Sequence, residues 1–113
     1  MQELGIVARL YPLVLSGEKK SSIRWREGDI QPGLLTYRCD ENPALTAVVL
    51  VTRVTAMPLS EAAAFVGRER EWPKDVMLSG MREHYPAIEW DDEVVVVEHL
   101  SPAETAEIIA RTT

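Results

Sequence analysis

The sequence has little cysteine, little histidine and no long apolar run. Its 113 residues include one cysteine, Cys39, and two histidines, His84 and His99. A single cysteine excludes an intramolecular disulfide, and two histidines beside it do not complete the ligand set of a structural zinc site. We therefore expect no metal and no cofactor, and a reducing compartment suits the chain best.

No apolar run approaches the roughly 20 residues that span a bilayer, and the charged residues Glu3 and Arg9 stand where a signal peptide would be apolar. These absences predict a cytoplasmic protein with no membrane partner. The composition, 46% hydrophobic and 27% charged, is typical of a folded domain. A chain of this length is long enough for one core and too short for two, so we expect a single domain over residues 1–113.

Positive charge is scarce overall and concentrated in one place. The formal net charge of −6 opposes broad binding to a polyanion, because affinity for the phosphate backbone comes from neutralising several phosphates at once. Residues 83–110 contain no lysine or arginine, whereas Lys19, Lys20, Arg24 and Arg26 crowd one short segment. This asymmetry predicts a small cationic site on an acidic body.

Local patterns predict five strands and four helices. Alternating or β-branched runs between turn residues indicate strands, and proline near a first turn, a terminal glycine or a capping box indicates helix ends. The predicted strands are 4–9, 21–26, 34–39, 45–57 and 94–97, and the predicted helices are 10–16, 60–66, 73–84 and 101–110. This order lacks a βαβ alternation and predicts an α+β fold with a mainly antiparallel, closed sheet flanked by short helices.

The basic segment lies in the second predicted strand and in the turn before it. Alternation places Ile23 and Trp25 on one face and Ser22, Arg24 and Arg26 on the other. The same parity would put Lys20, not Lys19, on the face of Ser22. We place Lys19 in the turn after Gly17, where alternation does not apply.

Residues 17–24 read G-E-K-K-S-S-I-R, which matches the pattern G-x-K-x-x-x-x-R. With a short helix before it, a Gly-Asp turn after it and a later helix ending at Tyr-Pro, the chain resembles the ASCH family over residues 4–100. The resemblance implies a PUA-like β-barrel with a cleft beside the motif, and RNA or nucleoside ligands. The last helix, at about 101–110, is an addition to the family pattern.

One branch of that family hydrolyses the amide of N-acetylcytidine, and the resemblance implies the catalytic residues. Lys19 occupies the position of the motif lysine and Ser22 that of a nucleophilic threonine. A serine hydroxyl becomes an effective nucleophile when a neighbouring base takes its proton, and a desolvated lysine beside other cations can act as that base.

The third member of the family site is a glutamate in the later helical region. Glu69 and Glu71 both fall near it, and an ungapped alignment back from Tyr85 reaches Arg70 instead. We predict Glu71, because it stands just before Trp72, where a loop should meet the start of a helix. Its carboxylate would serve as an acid, a base or an orienting group.

Lys20, Arg24 and Arg26 are predicted to bind the ligand. The planar fork of Arg24 suits a carbonyl or a phosphate, although a salt bridge within the sheet would use the same atoms. Trp25 and Trp90 are candidates for stacking on a base, but Trp25 shares the face of Ile23, which favours core packing.

Two functions therefore stay open. The first is an amidohydrolase acting on a modified nucleoside, and the second is a non-catalytic module that binds RNA. The sequence does not set the oligomeric state.

Overall fold

The computed structural model describes residues 1–112, which form five strands and four helices. In chain order they are β1 (Gln2–Ile6), α1 (Tyr11–Ser16), β2 (Ser21–Arg24), β3 (Gly33–Cys39), β4 (Thr46–Pro58), α2 (Leu59–Phe65), α3 (Lys74–His84), β5 (Glu93–His99) and α4 (Pro102–Thr112). The predicted order of elements and the α+β class are confirmed. No helix within this described range is long and apolar enough to cross a membrane.

The strands form one sheet in the order β1-β3-β4-β5-β2. The long valine- and threonine-rich strand β4 is central, as predicted. It pairs antiparallel with β3 in a hairpin whose register runs from Gly33↔Val51 to Arg38↔Thr46. At one end of the sheet β1 runs parallel to β3, with Gln2 opposite Leu35.

The prediction of a closed sheet was wrong. Strands β1 and β2 stand at the two ends of the strand order, and within residues 1–112 they do not pair with each other. Closure requires the two edge strands to meet and share a ladder of hydrogen bonds. Here β2 has only four residues, and the chain turns away soon after it at Arg26, whose φ of 56° is left-handed.

The chain divides into two compact units. The first unit comprises Met1–Ser22, Asp29–Val54 and the residues from Val97 onward, and the second comprises Ile23–Gly28 and Thr55–Val96. Strands β2, β4 and β5 therefore contribute residues to both. The buried side chains of the first unit include Leu4, Ile6, Val14, Leu35, Tyr37, Val49 and Val51.

The second unit has its own apolar core. In α2, Leu59, Ala62 and Ala63 are buried, and in α3 Met77 and Met81 are buried. The spacing of three or four residues puts each set on one face of its helix. These side chains form a cluster with Ile88, Val94 and Val96, and Trp25 and Tyr85 are among the partly buried residues packed against it.

The motif glycine has a structural task at the end of α1. Gly17 adopts φ 85° as the left-handed cap of that helix, and its backbone N–H donates to the Val14 carbonyl. Residues with a Cβ resist this conformation. The turn continues when the Lys19 N–H donates to the Leu13 carbonyl at 2.9 Å, which leads the chain into β2.

Helix α4 begins with the predicted capping box. The Glu104 backbone N–H donates to Ser101 Oγ at 3.1 Å, and the Ser101 backbone N–H donates to Glu104 Oε1 at 2.9 Å. Pro102 is the first helical residue. The reciprocal bonds satisfy two groups that the helix itself cannot pair, and this explains why the helix begins at this position.

Candidate functional site

Lys19 lies between α1 and β2, outside the strand, so strand alternation does not govern its direction. Its ammonium Nζ donates to the Ser21 carbonyl oxygen at 2.6 Å. The bond holds the charged end of Lys19 against the backbone of β2, at the peptide group that joins Ser21 to Ser22.

Ser22 is the second residue of β2 and is 4% exposed. It is one of few polar side chains in the buried set of the described residues. Burial lowers the competition of water for a hydroxyl group. Lys19 and Ser22 thus lie on one short stretch of the first unit, where the sequence places its predicted base and nucleophile.

Lys20 forms an ion pair with Glu104 that the sequence did not predict. Its Nζ lies 2.7 Å from Glu104 Oε1, the oxygen that also accepts from the Ser101 N–H. The hydrogen bond from Lys20 and those from Ser101 lower the pKa of Glu104 to about 2. The capping-box glutamate was the available signal, since a carboxylate fixed at a helix start attracts a nearby cation. The ligand-binding role of Lys20 stays a prediction.

Arg24 ends β2 within the second unit, and its side chain is 13% exposed. Its Nη1 lies 3.1 Å from Glu27 Oε2, and the Tyr85 hydroxyl donates to the same oxygen. Desolvation, followed by the hydrogen bond and negative charge of Glu27, raises the pKa of Tyr85 to about 12, against the opposing effect of Arg24. Tyr85 therefore stays protonated at neutral pH and remains a donor.

Arg26 is not a strand residue, which corrects the predicted strand 21–26. It is exposed, and its guanidinium carbon lies 4.3 Å from the centre of the Trp25 ring. The Tyr85 ring meets Trp25 edge-on, with centroids 5.9 Å apart. Trp25 is partly buried against the core of the second unit. It therefore packs against the core and also has the Arg26 guanidinium over its ring.

The other two tryptophans have the same kind of partner. Lys74 Nζ lies 5.6 Å from the Trp90 ring centre, and the Arg68 guanidinium carbon lies 5.9 Å from that of Trp72. Cations within about 6 Å of an aromatic face are attracted by its quadrupole. The stacking roles predicted for Trp25 and Trp90 are not decided by these contacts and stay predictions.

Glu71 is exposed and lies in the turn closed by the Trp72 N–H and the Arg68 carbonyl, shortly before α3. Among the described residues its carboxylate has no hydrogen-bond or ion-pair partner. Glu69 is exposed in the same turn, so both alternatives for the acidic residue stay open. Glu71 belongs to the second unit, as do Arg24 and Arg26, whereas Lys19, Lys20 and Ser22 belong to the first.

A buried polar pair in the first unit was missed by sequence reasoning. Tyr37 is 0% and His99 3% exposed, and the Tyr37 hydroxyl lies 3.0 Å from His99 Nε2. The other ring nitrogen lies 2.9 Å from the Leu100 carbonyl oxygen. Tyr37 lies at a buried position of β3 and His99 at a buried position of β5, but one sequence does not reveal that the two positions meet.

Within residues 1–112, no three histidine, cysteine, aspartate or glutamate side chains come together in a way that could hold a metal ion.

No protein-family model matches the sequence, and no curated protein matches it. The fold is similar to the crystal structure of protein EF3133 from Enterococcus faecalis V583, of the family DUF984, with a TM-score of 0.54. The two chains are 17% identical, and the similarity covers 82% of this chain and 69% of the other. At that identity the similarity concerns the fold alone.

Proposed function

We propose that the protein binds a modified nucleoside of the acylated-cytidine type and hydrolyses its amide. Two arguments support this: the resemblance of residues 17–24 to the ASCH motif, and the position of the Lys19 ammonium 2.6 Å from the Ser21 carbonyl, beside the buried Ser22. The second observation carries the proposal. It puts the group proposed as base on the backbone of the strand that bears the proposed nucleophile. The fold that goes with this proposal is an open variant of the PUA-like barrel.

The chemistry assigned to this pair is acyl transfer to a hydroxyl. Once the Lys19 ammonium has released a proton to solvent, Ser22 Oγ attacks the amide carbonyl carbon and the neutral amine takes the hydroxyl proton. The carbon–nitrogen bond of the amide then breaks, and the proton passes to the departing exocyclic nitrogen. Water then hydrolyses the acyl-serine, which releases acetate and restores Ser22. Glu71 is proposed as the acid, base or orienting group for these proton transfers. A neutral nucleoside also suits a protein of net charge −6, because its binding requires no broad basic surface.

The test is release of acetate from N-acetylcytidine by the purified protein and by single variants. Ser22→Ala and Lys19→Ala should lose turnover by about two orders of magnitude or more, whereas Ser22→Thr should retain it because the hydroxyl remains. Ser21→Ala, one residue earlier in β2, is the matched control and should leave the rate within about twofold.

Glu71→Gln and Glu69→Gln separate the two acidic candidates in the same assay. Only the glutamate that takes part in proton transfer should lose turnover when it becomes an amide of equal size. Full turnover by Ser22→Ala would overturn the nucleophile assignment, and an inactive wild type would overturn hydrolysis of this substrate.

The second candidate function is RNA binding without catalysis. The observation in its favour is that Trp25, Trp72 and Trp90 each have a cation over the ring, and this pairing suits a stacked base next to a phosphate. Affinity for an RNA loop would then fall steeply with salt and survive Ser22→Ala. Hydrolysis of a neutral nucleoside should hardly change with salt and should be lost in Ser22→Ala.

A further inference from the structure

Glu27 lies in the turn after β2, and one oxygen of its carboxylate, Oε2, is bound by two donors. Arg24 Nη1 lies 3.1 Å from Oε2, and the Tyr85 hydroxyl donates to that same oxygen. The two donors come from different segments of the second unit and restrict the rotation of the carboxylate. Because the Arg24 side chain is 13% exposed and that of Glu27 is 30% exposed, the ion pair lies at the edge of the surface and is less screened than a fully exposed pair.

Arg24 and Tyr85 both meet Glu27 at Oε2, and the second carboxylate oxygen is Oε1. Among the described residues Oε1 of Glu27 has no hydrogen-bond partner, and the Glu27 side chain is 30% exposed. An ionised carboxylate only accepts hydrogen bonds. A ligand group that meets Oε1 must therefore be a donor, and the fixed orientation of the carboxylate makes that requirement directional.

Arg26 is the residue next to Glu27 in the chain. Its guanidinium lies over the Trp25 ring at 4.3 Å, and Trp25 in turn contacts Tyr85, the residue that holds Glu27. Arg26 is exposed. Unstacked bases bind on guanidinium planes as well as on aromatic rings.

We propose that Glu27 determines which base the protein accepts, by taking a hydrogen bond at Oε1 from the exocyclic nitrogen of a cytosine-type base stacked on Arg26. This inference rests on the proposed binding of a nucleoside and adds the residue that selects it. Cytosine presents an N–H donor at its 4-position, and a carboxylate is a suitable acceptor for it. Uracil presents a carbonyl oxygen there, which a carboxylate repels.

The variant Glu27→Gln tests this role because it changes the hydrogen-bonding character of one side-chain atom and keeps the size of the side chain. In Glu27→Gln the amide oxygen should keep the position of Oε2, because Arg24 and Tyr85 are both donors. The amide nitrogen then takes the place of Oε1 and presents N–H groups to the base. The variant should consequently change from preferring cytidine to preferring uridine, a reversal that a merely structural role of Glu27 would not produce.

The experiment is calorimetric titration of the full chain with cytidine and with uridine, neither of which carries a hydrolysable amide. The wild type should bind cytidine about tenfold more tightly, as one hydrogen bond to a charged group provides. Glu27→Gln should lower that ratio below one. Glu93→Gln, an exposed glutamate of the same unit, is the matched control and should keep the wild-type ratio. Circular dichroism of each variant verifies folding.

The outcomes separate the two proposals. A wild-type ratio retained by Glu27→Gln, or equal loss of both ligands, would overturn the role of Glu27 and leave nucleoside binding in place. A wild type that binds both nucleosides equally would have the same consequence. If neither nucleoside binds the wild type, the proposed function fails together with this inference.

Discussion

Replacing Tyr37 by phenylalanine removes one buried hydroxyl and leaves the ring in place. Tyr37 is fully buried, its hydroxyl lies 3.0 Å from His99 Nε2, and the two rings meet edge-on with centroids 5.3 Å apart. The Leu100 carbonyl, 2.9 Å from His99 Nδ1, can only accept, so Nδ1 carries the proton. In the neutral imidazole Nε2 is then the acceptor, and Tyr37 donates to it.

The free energy of unfolding should fall by about 1–3 kcal/mol in Tyr37→Phe. That range is the cost of removing one partner of a buried hydrogen bond, and it exceeds the roughly 0.5–1.5 kcal/mol net value of an ordinary hydrogen bond. Little is added for packing, because the aromatic ring still fills its volume. Urea unfolding followed by circular dichroism should show a lower midpoint with an unchanged slope.

Tyr11→Phe is the matched control in the same unit. Its hydroxyl donates to the Thr46 carbonyl at 2.7 Å, and Thr46 is exposed, so water can replace the lost donor. The expected loss is about 0.5–1.5 kcal/mol. A Tyr37→Phe protein within about 0.5 kcal/mol of the wild type would refute the reasoning, as would a loss no greater than that of the control.

Four further predictions concern the first unit and α3. Gly17→Ala should destabilise the protein by about 1–2 kcal/mol in thermal unfolding, because φ at this residue is 85° and the new Cβ would lie 3.2 Å from Ser101 Cβ. Gly80→Ala, inside α3 with open space around it, should instead stabilise the protein by about 0.5–1 kcal/mol. The pKa of Glu104 is lowered from 4.5 to about 2, so its contribution to stability is complete above pH 4.5 and disappears as pH falls toward 2; Glu104→Gln should flatten this part of the acid-unfolding profile. Cys39, 2% exposed, should react with a thiol reagent only after denaturant is added, and fast labelling of the native protein would contradict its burial.

Much of the fold could be predicted because its signals are local. The cap at Gly17, the turn between β3 and β4 and the capping box at Ser101 each depend on a few consecutive residues, and each is present. Sheet closure could not be predicted in this way. It depends on whether the two edge strands reach each other, which no local pattern records.

The candidate site shows the same division. The sequence predicts a cluster of basic residues and places Ser22 and Arg24 on the same face of their strand. The sequence does not predict the partners of these basic residues. Lys20 pairs with Glu104, and both Arg24 and Tyr85 bind Glu27. Two of these three contacts join distant parts of the chain. A cation cluster in sequence therefore became, in three dimensions, a set of cations with separate partners.

The sequence by itself determined the helices, the strands, the central place of β4 and the residues that could carry chemistry, because propensity, periodicity and capping act over a few residues. Only the tertiary structure decided that the sheet is open, that Lys20 pairs with the glutamate at the start of α4 and that Arg24 and Tyr85 meet at one oxygen of Glu27. Those outcomes depend on which distant groups come within hydrogen-bonding distance, and packing of the whole chain sets that distance.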